Sequence, residues 1–364
     1  MLSEQEQKRY QRQIKLPDLG EGGQASLRNA AVLVIGAGGL GCPVLTYLNA
    51  AGVGRLGIVD NDVVHISNLH RQVLFTEDDI GLLKAEVASI KLRRQNPHTT
   101  IDVYPEKINR QNALDIMKAY DIVVDGSDNF PTRYLLNDAS YLLKKPLVYG
   151  AIHQFEGQVS VFNQINDAGE MGPNYRDLFP TPPLPGQVLN CAQVGVLGVL
   201  PGIIGSLQAN EVIKIVLDQE TLSGMLNIFD ARTSNMMQIK IKKLESNPIS
   251  GTKPSIRELI DYDAFCHIDS SINIISHHRL IELISDDDVI TIVDVREPHE
   301  IKLNKSNEIN IPMSALSQSL DRIPTKGKVV FKCQSGQRSV EAVKILREKG
   351  INGEFYSLEG GAVD

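Results

Sequence analysis

Cysteine is scarce in this 364-residue chain: Cys42, Cys191, Cys266 and Cys333 are widely separated and form no C-x-x-C pair. That argues against a disulfide framework and a cysteine-built zinc site. Positive charge is also short. Lys and Arg number 37 against 44 Asp and Glu, a net charge of −7, so the chain as a whole does not attract nucleic acid or an anionic membrane. No apolar run is long enough to span a bilayer; the longest, "VGVLGVLPGIIGSLQANEVIKIVL" (194–217), is broken by Gly, Pro and polar residues. The opening "MLSEQEQKRYQRQ" lacks the apolar region of a signal peptide. Internal repeats and low-complexity tracts are absent. The expectation is a soluble, cytoplasmic protein with enough chain for two domains.

What is present is an alternation. "AVLVI", "RLGIVD", "TIDVYP", "DIVVDG" and "PLVYG" are short β-branched runs bounded by Gly, Asp or Pro. Segments of helical spacing lie between them, among them "LGCPVLTYLNAAG" and "LLKAEVASIKLRRQN". This predicts an α/β fold, a Rossmann-like and mostly parallel sheet with helices on both faces. A strand at "GQVSVFN", a Pro/Gly-rich loop over 171–190, a long helix to about 217 and a strand pair in "GMLNIFDARTSNMMQIKIKKL" complete a first domain, 1–245. "ESNPISGTKPS" opens an expected linker, 246–273. A second, small α/β domain, 274–364, follows, with strands "VITIVDV" and "KVVFKC" and the helix "RSVEAVKILREKG" closed by Gly350.

"AVLVIGAGGLGCPV" carries Gly36, Gly38 and Gly41 in G-x-G-x-x-G spacing, with an extra Gly39. Glycine lets the backbone turn tightly and approach a ligand, and the helix beyond offers free N–H donors to phosphate. Asp60 ends the next strand, where a carboxylate can take ribose hydroxyls. On these features alone, nicotinamide, flavin and ATP stay open. "DNDVVHISNLHRQVLF" then adds Asn68, Arg71 and Gln72, and Lys84 begins the next helix. Extra cations suit a triphosphate whose charge redistributes during reaction. "DIVVDGSDNFPTRYLLND" supplies Asp125, Asp128 and Asn129 at a strand end. Asp128 there either binds Mg²⁺ or caps the following helix.

Taken in order, "RYQRQI", "GAGGLGCPV", "AGVGRLGIVDNDVVHISNLHRQ", the helix with Lys84, "GSDNFPTRYLLND" and "NCAQVGVLGVLPGIIGSLQANEVIKI" resemble the MoeB/ThiF-type, ubiquitin-activating-like adenylyltransferases over residues 1 to about 245. The resemblance implies ATP on Gly36, Gly38, Gly39 and Gly41, with its ribose on Asp60. It implies phosphates among Ser67, Asn68, Arg71, Gln72 and Lys84, Mg²⁺ on Asp128, and Asn129 helping to hold the nucleotide. Arg12 would come from the other subunit of a homodimer. The implied substrate is the C-terminal Gly-Gly carboxylate of a ubiquitin-like sulfur carrier protein, with the molybdopterin synthase small subunit ahead of the thiamine-pathway carrier.

Two cysteines are candidate nucleophiles. Cys191, in "LNCAQVG", is on residue statistics a small buried hydrophobe; the resemblance instead places it where a cysteine attacks the activated carrier or its persulfide adduct. Cys333, in "KVVFKCQSGQRS", sits between a strand and a helix N-terminus with Arg338 five residues on, a setting that favours thiolate. With "IVDVREPHE" upstream it resembles a rhodanese domain, which carries sulfur as a cysteine persulfide and takes it from a donor such as a cysteine desulfurase. A C-x5-R phosphatase is the competing reading. Asp294 and Arg296 are expected to pair structurally. Many relatives of the first domain carry zinc on two C-x-x-C pairs, but Asn174 and Asp177 stand at the first and "NPISG" at the second, so no zinc is expected. Two other readings are a nicotinamide oxidoreductase and a non-catalytic scaffold that binds the carrier.

Overall fold

The computed structural model describes residues 2–183, 195–266, 272–275, 277–285, 290–301, 308–334 and 336–358. The described residues within Met1–Pro182 and Val194–Cys266 form one compact unit, and those within His267–Asp364 belong to another.

In the first unit the strands are β1 Ala31–Ile35, β2 Arg55–Val59, β3 Thr100–Tyr104, β4 Ile122–Asp125, β5 Leu147–His153, β6 Glu156–Phe162, β7 Met225–Asp230 and β8 Asn235–Lys240. The helices are α1 Glu4–Ile14, α2 Gly20–Asn29, α3 Gly41–Ala51, α4 Lys84–Gln95, α5 Ala113–Met117, α6 Phe130–Leu143, α7 Tyr175–Leu178, α8 Leu200–Val216 and α9 Tyr262–Phe265. The strands make one sheet in the order β3-β2-β1-β4-β5-β6-β7-β8. The first five run parallel and the last three antiparallel. The expected Rossmann-like sheet is therefore present, extended by a meander. Side chains alternate across β1. Val32 and Val34 join Leu45 and Leu48 of α3 and Val212 of α8, while Leu33 and Ile35 join Leu136 of α6. A strand buried on both faces carries apolar residues at every position, which is why "AVLVI" has no polar member.

Two local expectations change. The 171–190 loop contains α7, capped by the Asn174 side chain on the Arg176 amide. The expected linker begins too early: Asn247, Ile249, Tyr262 and Cys266 are buried in the first unit. The Tyr262 hydroxyl donates to Asp138 Oδ2 (2.9 Å), whose carboxylate also takes a two-pronged contact from the buried Arg176 (2.8 Å each). A Pro/Ser/Gly-rich composition marked irregular backbone correctly, but such backbone can still be tied down by side chains.

The same region answers how the lobe closes with asparagine and aspartate at the positions noted above. Asn247 Nδ2 donates to Asn174 Oδ1 (3.0 Å) and to Asp177 Oδ1 (2.8 Å). Asn174 Nδ2 donates to Ser250 Oγ (2.8 Å), and Asn247 Oδ1 accepts from the amides of Ile249 and Ser250. Residues 174, 177, 247 and 250 thus form a hydrogen-bonded clip with the spacing of two metal knuckles. Removing the Asn247 side chain strands several buried partners, each costly to leave unpaired. Asn247→Ala is expected to destabilise the full-length protein by about 3 kcal/mol in urea unfolding. Dialysis against a chelator should leave the wild-type transition where it is. A large chelator effect would refute the clip as the closing device.

The second unit contains β9 Asn273–Ile275, α10 His277–Ser285, β10 Ile290–Asp294, β11 Glu308–Asn310, β12 Lys328–Lys332, α11 Gln337–Glu348 and β13 Glu354–Leu358. Its sheet is parallel throughout, ordered β11-β10-β12-β13-β9, around a core that includes Val293, Phe331, Val343, Leu346 and Phe355. Gly350 follows α11 with φ +73°, the left-handed turn expected there.

Candidate active sites

In the first unit the chain reverses direction across β1: β2 and β3 lie to one side, β4 and β5 to the other. Ligands of open α/β sheets bind at such a switch point, beyond the carboxyl ends of the strands. The glycine loop occupies that place, and its glycines are needed for steric reasons. Gly36 has φ +92°, and a Cβ at Gly41 would lie 1.8 Å from the Gly36 carbonyl oxygen. Only glycine fits at these two positions of the turn, which leads into the N-terminus of α3.

Four of the expected side chains gather around the loop. Asp60 Oδ2 accepts from the Ala37 amide (2.7 Å) and Oδ1 from the Asp62 amide (2.8 Å), so its carboxylate fixes the loop and retains lone pairs for a ligand. Burial pushes its pKa up, opposed by the charge of Lys84 nearby. The Arg71 Cδ and the Gln72 Nε2 lie 3.6 and 3.7 Å from where Cβ atoms on Gly39 and Gly38 would be. Arg71 Nη1 donates to the Ser67 carbonyl (3.0 Å), while Asn68 Oδ1 accepts from the His65 amide (3.2 Å). Lys84, only 4% exposed, begins α4; its ammonium is 3.1 Å from Asp62 Oδ2. Asp62 is a member of this site that the sequence reading missed, although D-x-D at a strand end was a visible signal. Gln72 Oε1 is buried with no hydrogen-bond partner. A buried acceptor left open beside a glycine loop and two cations fits a polar ligand that donates to it, as Mg-ATP with its bound water can.

Beyond β4, Asp125 accepts from the Ser127 amide and hydroxyl through Oδ1, while Oδ2 is buried and unpartnered. Burial pushes its pKa up and the Arg133 charge opposes this. The helix cap is Asn129, whose Oδ1 accepts from the Thr132 amide (3.0 Å). Asp128 therefore does not cap α6; it is exposed at the site's rim. Gln208 of α8 pins the ends of β4 and β5, donating to the Asp125 carbonyl (2.8 Å) and more weakly to that of Val148 (3.3 Å).

Arg12 is not brought to the loop of its own chain. It is exposed on α1, a helix docked by Gln13 on the Ala51 carbonyl and by Tyr10 on Asn96. Those contacts are at the C-terminal ends of α3 and α4, about 16 Å of α3 helix from the glycine turn. Cys191 lies outside the described residues.

In the second unit Cys333 follows the central strand β12 and precedes α11. It is fully buried, and Sγ accepts from the Gly336 amide (3.1 Å), with Ser339 Oγ at 3.7 Å. Among the described residues that is one backbone donor to sulfur. Arg338 does not add free positive charge: its two terminal nitrogens meet Glu300 at 2.6 and 2.7 Å. That pairing holds the Glu300 carboxyl down at about 2. Asp294 and Arg296 pair as expected, both buried, at 2.8–3.1 Å.

A doubly wound nucleotide-binding fold and a parallel α/β unit with a strand–Cys–helix loop define a two-domain chain of known type. The chain belongs to the ThiF family, whose model matches residues 10–249, and residues 276–364 match the rhodanese-like domain. It is 52% identical over 265 residues to the sulfur carrier protein adenylyltransferase of Thermus thermophilus, covering 72% of this chain and 98% of that one. It is 41% identical to the probable adenylyltransferase/sulfurtransferase MoeZ of Mycobacterium tuberculosis, covering 100% and 93%. It is 45% identical to the adenylyltransferase and sulfurtransferase MOCS3 of Culex quinquefasciatus, covering 96% and 85%. Among solved structures, E. coli MccB with MccA-N7isoASN shares the fold (TM-score 0.59, 21% identity), covering 67% of this chain and 75% of that one.

Proposed function

We propose that this enzyme adenylates the C-terminal glycine of a ubiquitin-like sulfur carrier protein and then replaces the adenylate with sulfur. The observation that carries the reading is the glycine loop at the switch point with Arg71 and the buried Lys84 beside it. In the adenylation step a carrier carboxylate oxygen attacks the α-phosphorus of ATP and pyrophosphate leaves. The nucleophile is already an anion, so the demand is for charge stabilisation and alignment rather than a base. Arg71 and Lys84 meet the phosphates, and Gly36, Gly38, Gly39, Gly41 and Asp60 hold the nucleotide. Ser67, Asn68 and Gln72 line the same wall, with Asn129 at its edge. Mg²⁺, held by the exposed Asp128, would screen phosphate charge. The active unit is a homodimer in which Arg12 crosses to its partner's site, a reading supported by its distance from the loop of its own chain.

Sulfur enters on Cys333, taken from a persulfide donor such as a cysteine desulfurase. The terminal sulfur of the Cys333 persulfide attacks the acyl carbon and AMP departs with the electron pair. The Cys191 thiolate then attacks the Cys333 sulfur of the acyl disulfide. This releases the thiocarboxylate and leaves a Cys191–Cys333 disulfide for a thiol reductant. The molybdopterin synthase small subunit is the favoured carrier, with the thiamine-pathway carrier second. The test is the intact mass of each Gly-Gly carrier after incubation with the protein, MgATP and a persulfide. Exchange of one oxygen for sulfur supports the reading and names the carrier. An unchanged mass without pyrophosphate release from either carrier leaves a non-catalytic scaffold.

A further inference from the structure

The Cys333 loop has the parts of an oxyanion receptor: a helix N-terminus, an inward amide and an arginine five residues after the cysteine. Its arginine is nevertheless occupied. Arg338 and Glu300 meet fork to fork, Nη1 on Oε2 and Nη2 on Oε1. Glu300 is fixed from its own side too, since Oε2 accepts from the Glu297 amide (2.8 Å) at the turn Pro298–Glu300. Its carboxylate is therefore a built part of the rim. The neighbouring cations are spoken for in the same way. Arg296 is paired with Asp294, and Lys332 lies 2.5 Å from Glu308 and 3.5 Å from Asp294. Glu297 adds a further carboxylate, which accepts from the Ser314 amide and hydroxyl. An incoming oxyanion would meet a neutralised guanidinium flanked by carboxylates.

We infer that Glu300 sets the donor specificity of the second unit: by neutralising Arg338 it excludes sulfur oxyanions such as thiosulfate and reserves Cys333 for sulfane sulfur presented as a protein persulfide. The inference rests on the reading of Cys333 as the sulfur carrier. Removing the carboxylate charge converts the loop into an oxyanion site. With thiosulfate, the Cys333 thiolate attacks the outer sulfur, a new S–S bond forms, and the old one breaks as sulfite leaves with the bonding pair. Cyanide then takes the terminal sulfur as thiocyanate and restores the thiolate.

The experiment uses full-length Glu300→Gln, which keeps the size of the side chain and an oxygen acceptor for the Glu297 amide and Arg338. Thiosulfate with cyanide as acceptor is the first probe. The expected result is a rise of tenfold or more in kcat/KM, mostly through KM, and its loss when Arg338→Gln is added. The second probe is alkylation of Cys333 by neutral iodoacetamide against anionic iodoacetate, which needs no sulfur transfer. Glu300→Gln is expected to raise the iodoacetate rate selectively. Unchanged thiosulfate kinetics together with an unchanged alkylation ratio overturn the inference. A raised alkylation ratio without thiosulfate turnover by Glu300→Gln overturns Glu300 as the group that excludes thiosulfate, while persulfide-dependent thiocarboxylate formation still reports separately on Cys333 as the sulfur carrier.

Discussion

Lys84→Met should slow carrier-dependent ATP–pyrophosphate exchange by at least a hundredfold, about 3 kcal/mol in the barrier, the usual scale for losing one preorganised donor to a transition-state charge. The size follows from burial. Lys84 is almost wholly covered, its backbone amide is anchored on the Asp62 carbonyl (2.9 Å), and its ammonium reaches Asp62 Oδ2. A cation held this way needs little reorganisation when phosphate charge develops, and it acts where water screens poorly. The fold should survive the change because the carboxylate left behind, on Asp62, is 65% exposed and stays hydrated. Circular dichroism would verify that, and a loss of exchange smaller than tenfold in a folded variant would remove Lys84 from the phosphate site.

Cys333→Ala should abolish thiocarboxylate formation from a persulfide donor, at least a hundredfold in initial rate, while leaving pyrophosphate exchange within twofold of wild type. The separation is expected because the two units have separate cores: Cys333 packs with Val293, Phe331 and Phe355, and none of the first unit's described core residues shares that cluster. On the proposed reading, adenylation uses the first unit and sulfur transfer uses the sulfur atom at the β12–α11 junction, where the Gly336 amide donates to it. A variant that still made thiocarboxylate at the wild-type rate, with persulfide as the only sulfur source, would assign the sulfur-carrying step to another residue. A variant that lost both activities would mean that the units depend on each other.

Much of this architecture was legible in the sequence because short-range rules govern it. "AVLVIGAGGLG" reads as strand, turn and helix since a doubly covered strand must be apolar throughout and the Gly36–Gly41 contact tolerates no side chain. Asp60 fell in the site because its strand pairs with β1 in register, ending beside the loop. The role of Asp128 stayed open in the sequence, between a Mg²⁺ ligand and the cap of α6, because Asp128 and Asn129 are both competent caps and only the backbone geometry chooses Asn129. The 246–273 stretch was harder. Its composition marks irregular backbone, but the clip that binds it joins residues some seventy positions apart.

The sequence by itself determined the two units, the conformation of the glycine turn, the strand–Cys–helix setting of Cys333 and the local pairing of Asp294 with Arg296. Each depends on residues within one strand–turn–helix segment or closer, where backbone sterics leave few choices. Only the tertiary structure decided that Lys84 rests on Asp62, that the helix carrying Arg12 docks at the end of α3 away from the glycine turn, that 174, 177, 247 and 250 hydrogen-bond to one another, and that Glu300 neutralises Arg338. Those pairings join side chains from different elements. Strand order and helix docking decide which charges and amides meet, and burial then makes each unpaired polar group expensive enough to fix its partner.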